Sequence, residues 1–178
     1  SLRYLSSKID YSWLYSWIRE PADFRPSTKM PQFFGLYHHL TEADDAAELK
    51  DSLRFESIEI RALTEYLLNA SDEFENLQAE QGVETPSADR GKWLFESRGC
   101  LACHAHEAFP GIAADQGPEL SQIGVKLNHE QGRRWLYSWL KQPNLYHART
   151  VMPDLYLEPI EEKDAEGRAT GRKTDPAA

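Results

Sequence analysis

The stretch Trp13 to Pro31 aligns without gaps on Trp135 to Pro153 at an offset of 122, and nine of the nineteen positions are identical. A chain that repeats such a block is expected to build the same local structure twice, so the sequence reads as two related units. The shared residues are W-L-Y-S-W at 13–17 and 135–139, Pro21 and Pro143, Thr28 and Thr150, Met30 and Met152, and Pro31 and Pro153. Met30 and Met152 are the only methionines, and each stands in T-x-M-P. A lone methionine is ordinarily a pliable core filler. Two at equivalent points of a repeat point to a shared task.

The only two cysteines lie between the two blocks. Cys100, Leu101, Ala102, Cys103 and His104 read as C-x-x-C-H, the spacing at which haem is attached covalently and its iron ligated. Two thiols three positions apart can each add to one vinyl group of the same porphyrin, and the next residue brings an imidazole nitrogen under the iron. Two other chemistries compete for these residues. Cys100, Cys103, His104 and His106 supply four zinc-type ligands within seven residues, but structural zinc sites usually draw their second pair from another element. A thioredoxin-like redox pair would require a strand-helix context.

With C-x-x-C-H followed by T-x-M-P, the chain resembles the class I c-type cytochromes, a helical family that holds one haem between such a motif and a methionine on a later loop. The resemblance implies an all-α, cytochrome c-like helical haem-binding fold, with an incomplete first unit followed by a C-x-x-C-H unit lacking its last helix. On that reading residues 1–70 are the methionine-bearing half of a first unit, 71–87 a solvated linker, and 88–178 the second unit. Cys100 and Cys103 would attach haem c at one covalent site, with His104 and Met152 as axial iron ligands. The Pro118 carbonyl would accept the other imidazole N–H of His104. Leu120, Ile123, Trp135 and Trp139 would wall the porphyrin, although plain core packing explains the aromatics equally well. Met30 would ligate the iron of a first haem whose attachment motif is absent from the sequence. Gly91 and Phe95 match the family's first helix, and Leu63 and Tyr66 match the helix that crosses it. These two pairs lie in different units, which implies packing of 57–68 on 89–99, either within the chain or in a swapped dimer through the terminal halves.

Local signals predict helices at about 11–19, 42–52, 57–69, 89–99 and 129–141. Asn128 with Gln131 and Thr41 with Asp44 resemble capping boxes. The charged stretch Glu158 to Lys173 reads as an exposed loop. The 178 residues are 40% hydrophobic, enough for a core, and no apolar run approaches the roughly 20 residues that span a bilayer. A net charge of −9 argues against a nucleic-acid partner. Because haem is joined to C-x-x-C-H after export, the sequence is expected to be a mature or excised piece of a periplasmic or otherwise exported protein. The leading functional expectation is a non-enzymatic electron-transfer module of a multihaem protein that meets redox-protein partners. The alternatives are a peroxidase-like haem enzyme, open on the Met152 side, and a haemless interaction module of a larger redox assembly.

Overall fold

The computed structural model describes residues 2–37, 46–80 and 83–177, with the backbone alone at 46–48. Contacts divide the chain into two units, Ser1–Glu73 and Phe74–Ala178. The stretch expected as a linker therefore divides, 71–73 falling to the first unit and 74–87 to the second.

The first unit is built on two helices. Helix α1 (Tyr11–Arg19) starts where the Asp10 carboxylate accepts the Trp13 N–H at 2.8 Å, and it stops before Pro21, which forces Glu20 out of helical geometry (φ −148°, ψ 80°). Pro21 then opens the short helix α2 (Pro21–Phe24), since its missing N–H has no partner to lose at a helix start. The sequence signals at 42–52 and 57–69 merge into one helix α3 (Ala46–Asn69), whose interior contains neither glycine nor proline. The Thr41 and Asp44 capping signal lies outside the described residues. Leu14 and Ile18 of α1 pack with Leu5, Ile9 and Ile60, and Thr64 is buried beside them with its hydroxyl donating to the Ile60 carbonyl at 2.7 Å. Ser71 and Asp72 close the unit on its N-terminal segment, where the Asp72 N–H meets the Arg3 carbonyl at 2.7 Å. On α3, Leu63 is 43% and Tyr66 68% exposed. In the second unit a Cβ at Gly91 would meet nothing within 4 Å.

The second unit runs through α4 (Ala88–Ser97), α5 (Ile123–Leu127), α6 (Glu130–Lys141) and α7 (Pro143–Tyr146). Helix α6 is capped by His129, whose Nδ1 accepts the Gly132 N–H at 3.1 Å; Asn128, the expected cap, instead accepts from Arg133 at 2.6 Å. The polar stretch after Glu73 is anchored on α6 and α7: the Ser138 hydroxyl of α6 accepts the Leu77 N–H at 2.9 Å, and Phe74 meets Tyr146 of α7 edge-on at 5.2 Å.

The expectation of an all-α, cytochrome c-like fold is corrected by the chain beyond α7. Strands β1 (Ile160–Lys163) and β2 (Ala169–Thr174) pair antiparallel within the stretch expected as a loop, so the described residues combine helices with a two-stranded sheet. The turn explains why charged residues form strands here. The Asp164 side chain accepts the N–H groups of Glu166 and Arg168, and Gly167 takes a left-handed φ of +82° that a side chain would resist. Glu161 faces Lys173 across the ladder, and Gly171, at φ +75°, lies where the register slips.

The two copies of the repeat fold alike. In each, one residue with ψ near 80° separates a longer helix from a four-residue helix opened by a buried proline. Trp13 and Trp17 stack at 5.2 Å with Phe24 edge-on to both; Trp135 and Trp139 stack at 5.3 Å with Tyr146 edge-on to both. The Met30 and Met152 N–H groups each meet the hydroxyl of the threonine two residues earlier at 3.2 Å.

One difference within this match carries a pH signature. Burial pushes the Tyr146 phenol up to about 12, against about 10 in an unfolded chain. The unfolded state therefore sheds this proton first, so the stability tied to the neutral phenol is full below about pH 10 and drains away towards about pH 12. Burial, aided by the hydrogen bond to Asp175, pushes Tyr137 in the same direction. Tyr146→Phe installs the ring that the first unit already uses at Phe24. It is expected to shrink the alkaline loss of stability while changing the neutral value by less than about 1.5 kcal/mol. Urea unfolding at neutral and alkaline pH measures both; an unchanged alkaline loss would remove Tyr146 from the account.

Candidate haem site

Helix α4 ends at Ser97, and the chain reverses through Gly99, at φ +81°, into a single 3-10 turn at Cys100–Ala102. The Cys100 carbonyl accepts from both Cys103 N at 3.2 Å and His104 N at 2.9 Å. One short turn thus sets the backbone of both thiols and the imidazole. Cys100 and Cys103 are free thiols, each half-buried. Burial raises the Cys100 thiol above its ordinary range, and the neighbouring Cys103 adds to the rise, which favours the protonated form. The Cys103 thiol points its S–H towards the Gln116 side-chain oxygen at 3.6 Å.

The segment after the motif folds back and fixes His104. The Gly117 N–H meets the Cys103 carbonyl at 2.7 Å, and the Leu120 N–H meets the Ala105 carbonyl at 3.0 Å. These bonds bring the Pro118 carbonyl to 2.7 Å from His104 Nδ1. A carbonyl can only accept, so the neutral ring carries its proton on Nδ1 and keeps a lone pair on Nε2, the form in which imidazole ligates a metal. Gly117 lies against the ring itself: a Cβ there would sit 2.4 Å from Cε1, 2.6 Å from Nδ1 and 2.9 Å from Nε2. Only glycine fits between this loop and the imidazole. Further along the loop, the Glu107 N–H meets the Ser121 hydroxyl at 2.8 Å. Ser121 also bonds the Glu119 side chain and holds that carboxyl below its usual range. Phe95 and Phe109 stack at 5.6 Å, with His106 edge-on to both.

The remaining expected site residues lie further along the second unit. Leu120 and Ile123 are half-buried, Trp135 is buried, and Trp139 is half-buried in the ring trio. Met152 is half-buried on the loop after α7, and Met30 occupies the same backbone setting after α2 in the first unit. The structure thus joins His104 directly to Pro118, and Trp135 to Trp139, whereas Met152 belongs to a separate loop of the same unit. Gln116 and Tyr146 escaped the sequence reading. Alignment of Phe24 on Tyr146 within the repeat could have exposed the second; Gln116 left no such signal. Among the described residues no three His, Cys, Asp or Glu side chains are grouped to hold a metal ion, which leaves the zinc reading of Cys100, Cys103, His104 and His106 without a converged ligand set. No helix among them is long and apolar enough to cross a membrane. No protein-family model, curated protein or solved structure matches this chain.

Proposed function

We propose that the chain carries haem c on Cys100 and Cys103, with His104 and Met152 as axial iron ligands, and that it transfers electrons to redox-protein partners as a module of an exported multihaem protein. The observation that carries this reading is the His104 ring, held by the Pro118 carbonyl at 2.7 Å with Nε2 left for a metal and Gly117 packed on it where a methyl would collide. A second contact of this kind is what orients a metal-ligating histidine and raises its basicity. The two free thiols one turn of chain away complete the donor set that covalent attachment requires. Haem bound with imidazole and thioether ligands supplies a one-electron iron couple of raised potential. The chain's part is to fix the imidazole through Pro118, to hold the Met152 loop through Thr150, and to keep water from the site with the buried Trp135. Met30, in the same backbone setting in the first unit, is the corresponding candidate ligand for the iron of a further haem.

Expression in a host with haem-attachment machinery, followed by denaturing electrophoresis with haem detection, tests the reading. One covalent haem per chain is expected, and a pigment that extracts into acidified organic solvent would sink covalent attachment. In the loaded protein, Met152→Ala is expected to lower the reduction potential by on the order of 0.1 V, a fraction of the roughly 0.8 V that axial ligands span. An unchanged potential would remove Met152 from the ligand set.

A further inference from the structure

The two copies of the repeat differ in what covers them. On α6 one polar face is clothed by three separate stretches of the second unit. The Tyr137 hydroxyl donates to the Asp175 carboxylate at 2.7 Å, and the Ser138 hydroxyl accepts the Leu77 N–H at 2.9 Å. Lys141 donates to the Leu157 carbonyl at 2.8 Å and to the Glu158 carboxylate at 2.9 Å. Ser138 and Asp175 are each only 1% exposed beneath this covering.

The repeat places Tyr15, Ser16 and Arg19 of α1 at the positions of Tyr137, Ser138 and Lys141. At about 100° per residue, these three share one face of α1 with Tyr11 and Ser12. Ser12, Ser16 and Arg19 are exposed, and Tyr11 stacks on the half-buried Tyr15 at 6.5 Å. Among the described residues, the side chains of Tyr15, Ser16 and Arg19 have no hydrogen-bond or ion-pair partner. Nor does α1 contain any acidic residue that could answer Arg19 from within the helix. The donors and the cation that hold three separate covering stretches on α6, two of them through carboxylates, are thus repeated on α1 without that cover.

We propose that this face of α1 docks an extended acidic peptide segment of another polypeptide. A carboxylate of the segment lies between the Tyr15 hydroxyl and the Arg19 guanidinium, and its backbone N–H reaches Ser16. The occupant is extended because the covering stretches on α6 around Leu77 and at Leu157–Glu158 have neither helix nor strand geometry, whereas Asp175 opens a turn. It is acidic because Asp175 and Glu158 supply the contacts there. Arginine in place of lysine permits a two-pronged grip on the carboxylate.

The test uses the full chain, isotope-labelled, with the nine-residue peptide of sequence DEFENLQAE, copied from residues 72–80, as the probe. The peptide is added free and, in a second arm, joined to the N-terminus by a flexible Gly/Ser linker that raises its effective concentration to the millimolar range. Amide shifts over Tyr11–Arg19 are expected in both arms. Arg19→Gln should weaken the free peptide at least tenfold, Tyr15→Phe at least threefold, and a peptide with its acids replaced by amides should bind at least tenfold more weakly. Arg19 faces solvent, and Tyr15→Phe keeps the ring that packs against the first unit's core and removes only the hydroxyl. Silence over α1 in the tethered arm, shifts confined to α6, or binding indifferent to Arg19 and to the peptide's acids would each overturn the proposal.

Discussion

Gly117→Ala will lower the yield of haem-loaded protein at least tenfold. The added methyl would lie 2.4–2.9 Å from three atoms of the half-buried His104 ring, closer than non-bonded heavy atoms can approach without one of them moving. Two movements could relieve them, and each breaks something the site uses. If the ring swings away, Nδ1 leaves the Pro118 carbonyl, and with it goes the bond that fixes the tautomer and aims Nε2. If the backbone at 117 retreats, its N–H leaves the Cys103 carbonyl, 2.7 Å away, and the loop loosens behind the second thiol. Loss of such a supporting contact ordinarily costs a metal site 10–100-fold in affinity. Visible absorbance per unit of purified protein measures the loss, and far-ultraviolet circular dichroism verifies that the chain still folds. Gly124→Ala is the internal control: a Cβ there meets nothing within 4 Å, so loading should match the unaltered protein. Equal loading in Gly117→Ala would falsify the proposed role of the pinned imidazole.

The residues of this site were legible in the sequence for a physical reason. The proposed covalent attachment would need two thiols and an imidazole within one turn, and that requirement is met by a contiguous signature, Cys100 to His104. The repeat was legible because tryptophan stacking across one helical turn demands residues at fixed spacing, and Trp13/Trp17 and Trp135/Trp139 meet that demand in both units. The hairpin at 160–174 was hidden because a half-buried strand announces itself by alternation of apolar and polar residues, and here nearly every strand residue is exposed. Its pairing rests on backbone bonds and on the Asp164–Gly167 turn, so composition alone suggested a solvated loop. The turn residues were the available signal. The polar composition of 71–87 misled in a similar way, since one aromatic contact, Phe74 on Tyr146 of α7, and one backbone bond, Leu77 N–H to the Ser138 hydroxyl of α6, are enough to seat an extended segment. The local signals at 42–52 and 57–69 belong to one helix α3: buried Ile60 and Thr64 hold the continuous helix against α1, and packing outweighs weak local preferences between them.

Trp135→Ala is the substitution expected to cost the fold most, about 3–5 kcal/mol. Trp135 is 3% exposed, and its ring stacks on Trp139 at 5.3 Å while meeting Tyr146 edge-on at 5.2 Å. Removal of the indole strips both neighbours of their packing partner. The stiff helical frame, in which α6 and α7 are joined through Gln142 and the buried Pro143, restricts collapse into the space left behind. A domain of ordinary stability has only about 5–15 kcal/mol in total, so the variant's second unit should be partly unfolded at body temperature even without haem chemistry. Trp13→Ala provides the calibration, because the aligned ring makes the same contacts at 5.2 Å yet is only half-buried, and part of its surface already lies in water. Its cost should therefore be smaller by at least about 1 kcal/mol, on the scale of 25 cal/mol for each Å² of apolar surface withdrawn from water. Urea titrations of the two variants, followed by near-ultraviolet circular dichroism, give the difference directly. Equal costs would mean that the aromatic trio is stabilised by ring geometry alone, and a larger cost at Trp13 would reverse the order of burial argued for the two units.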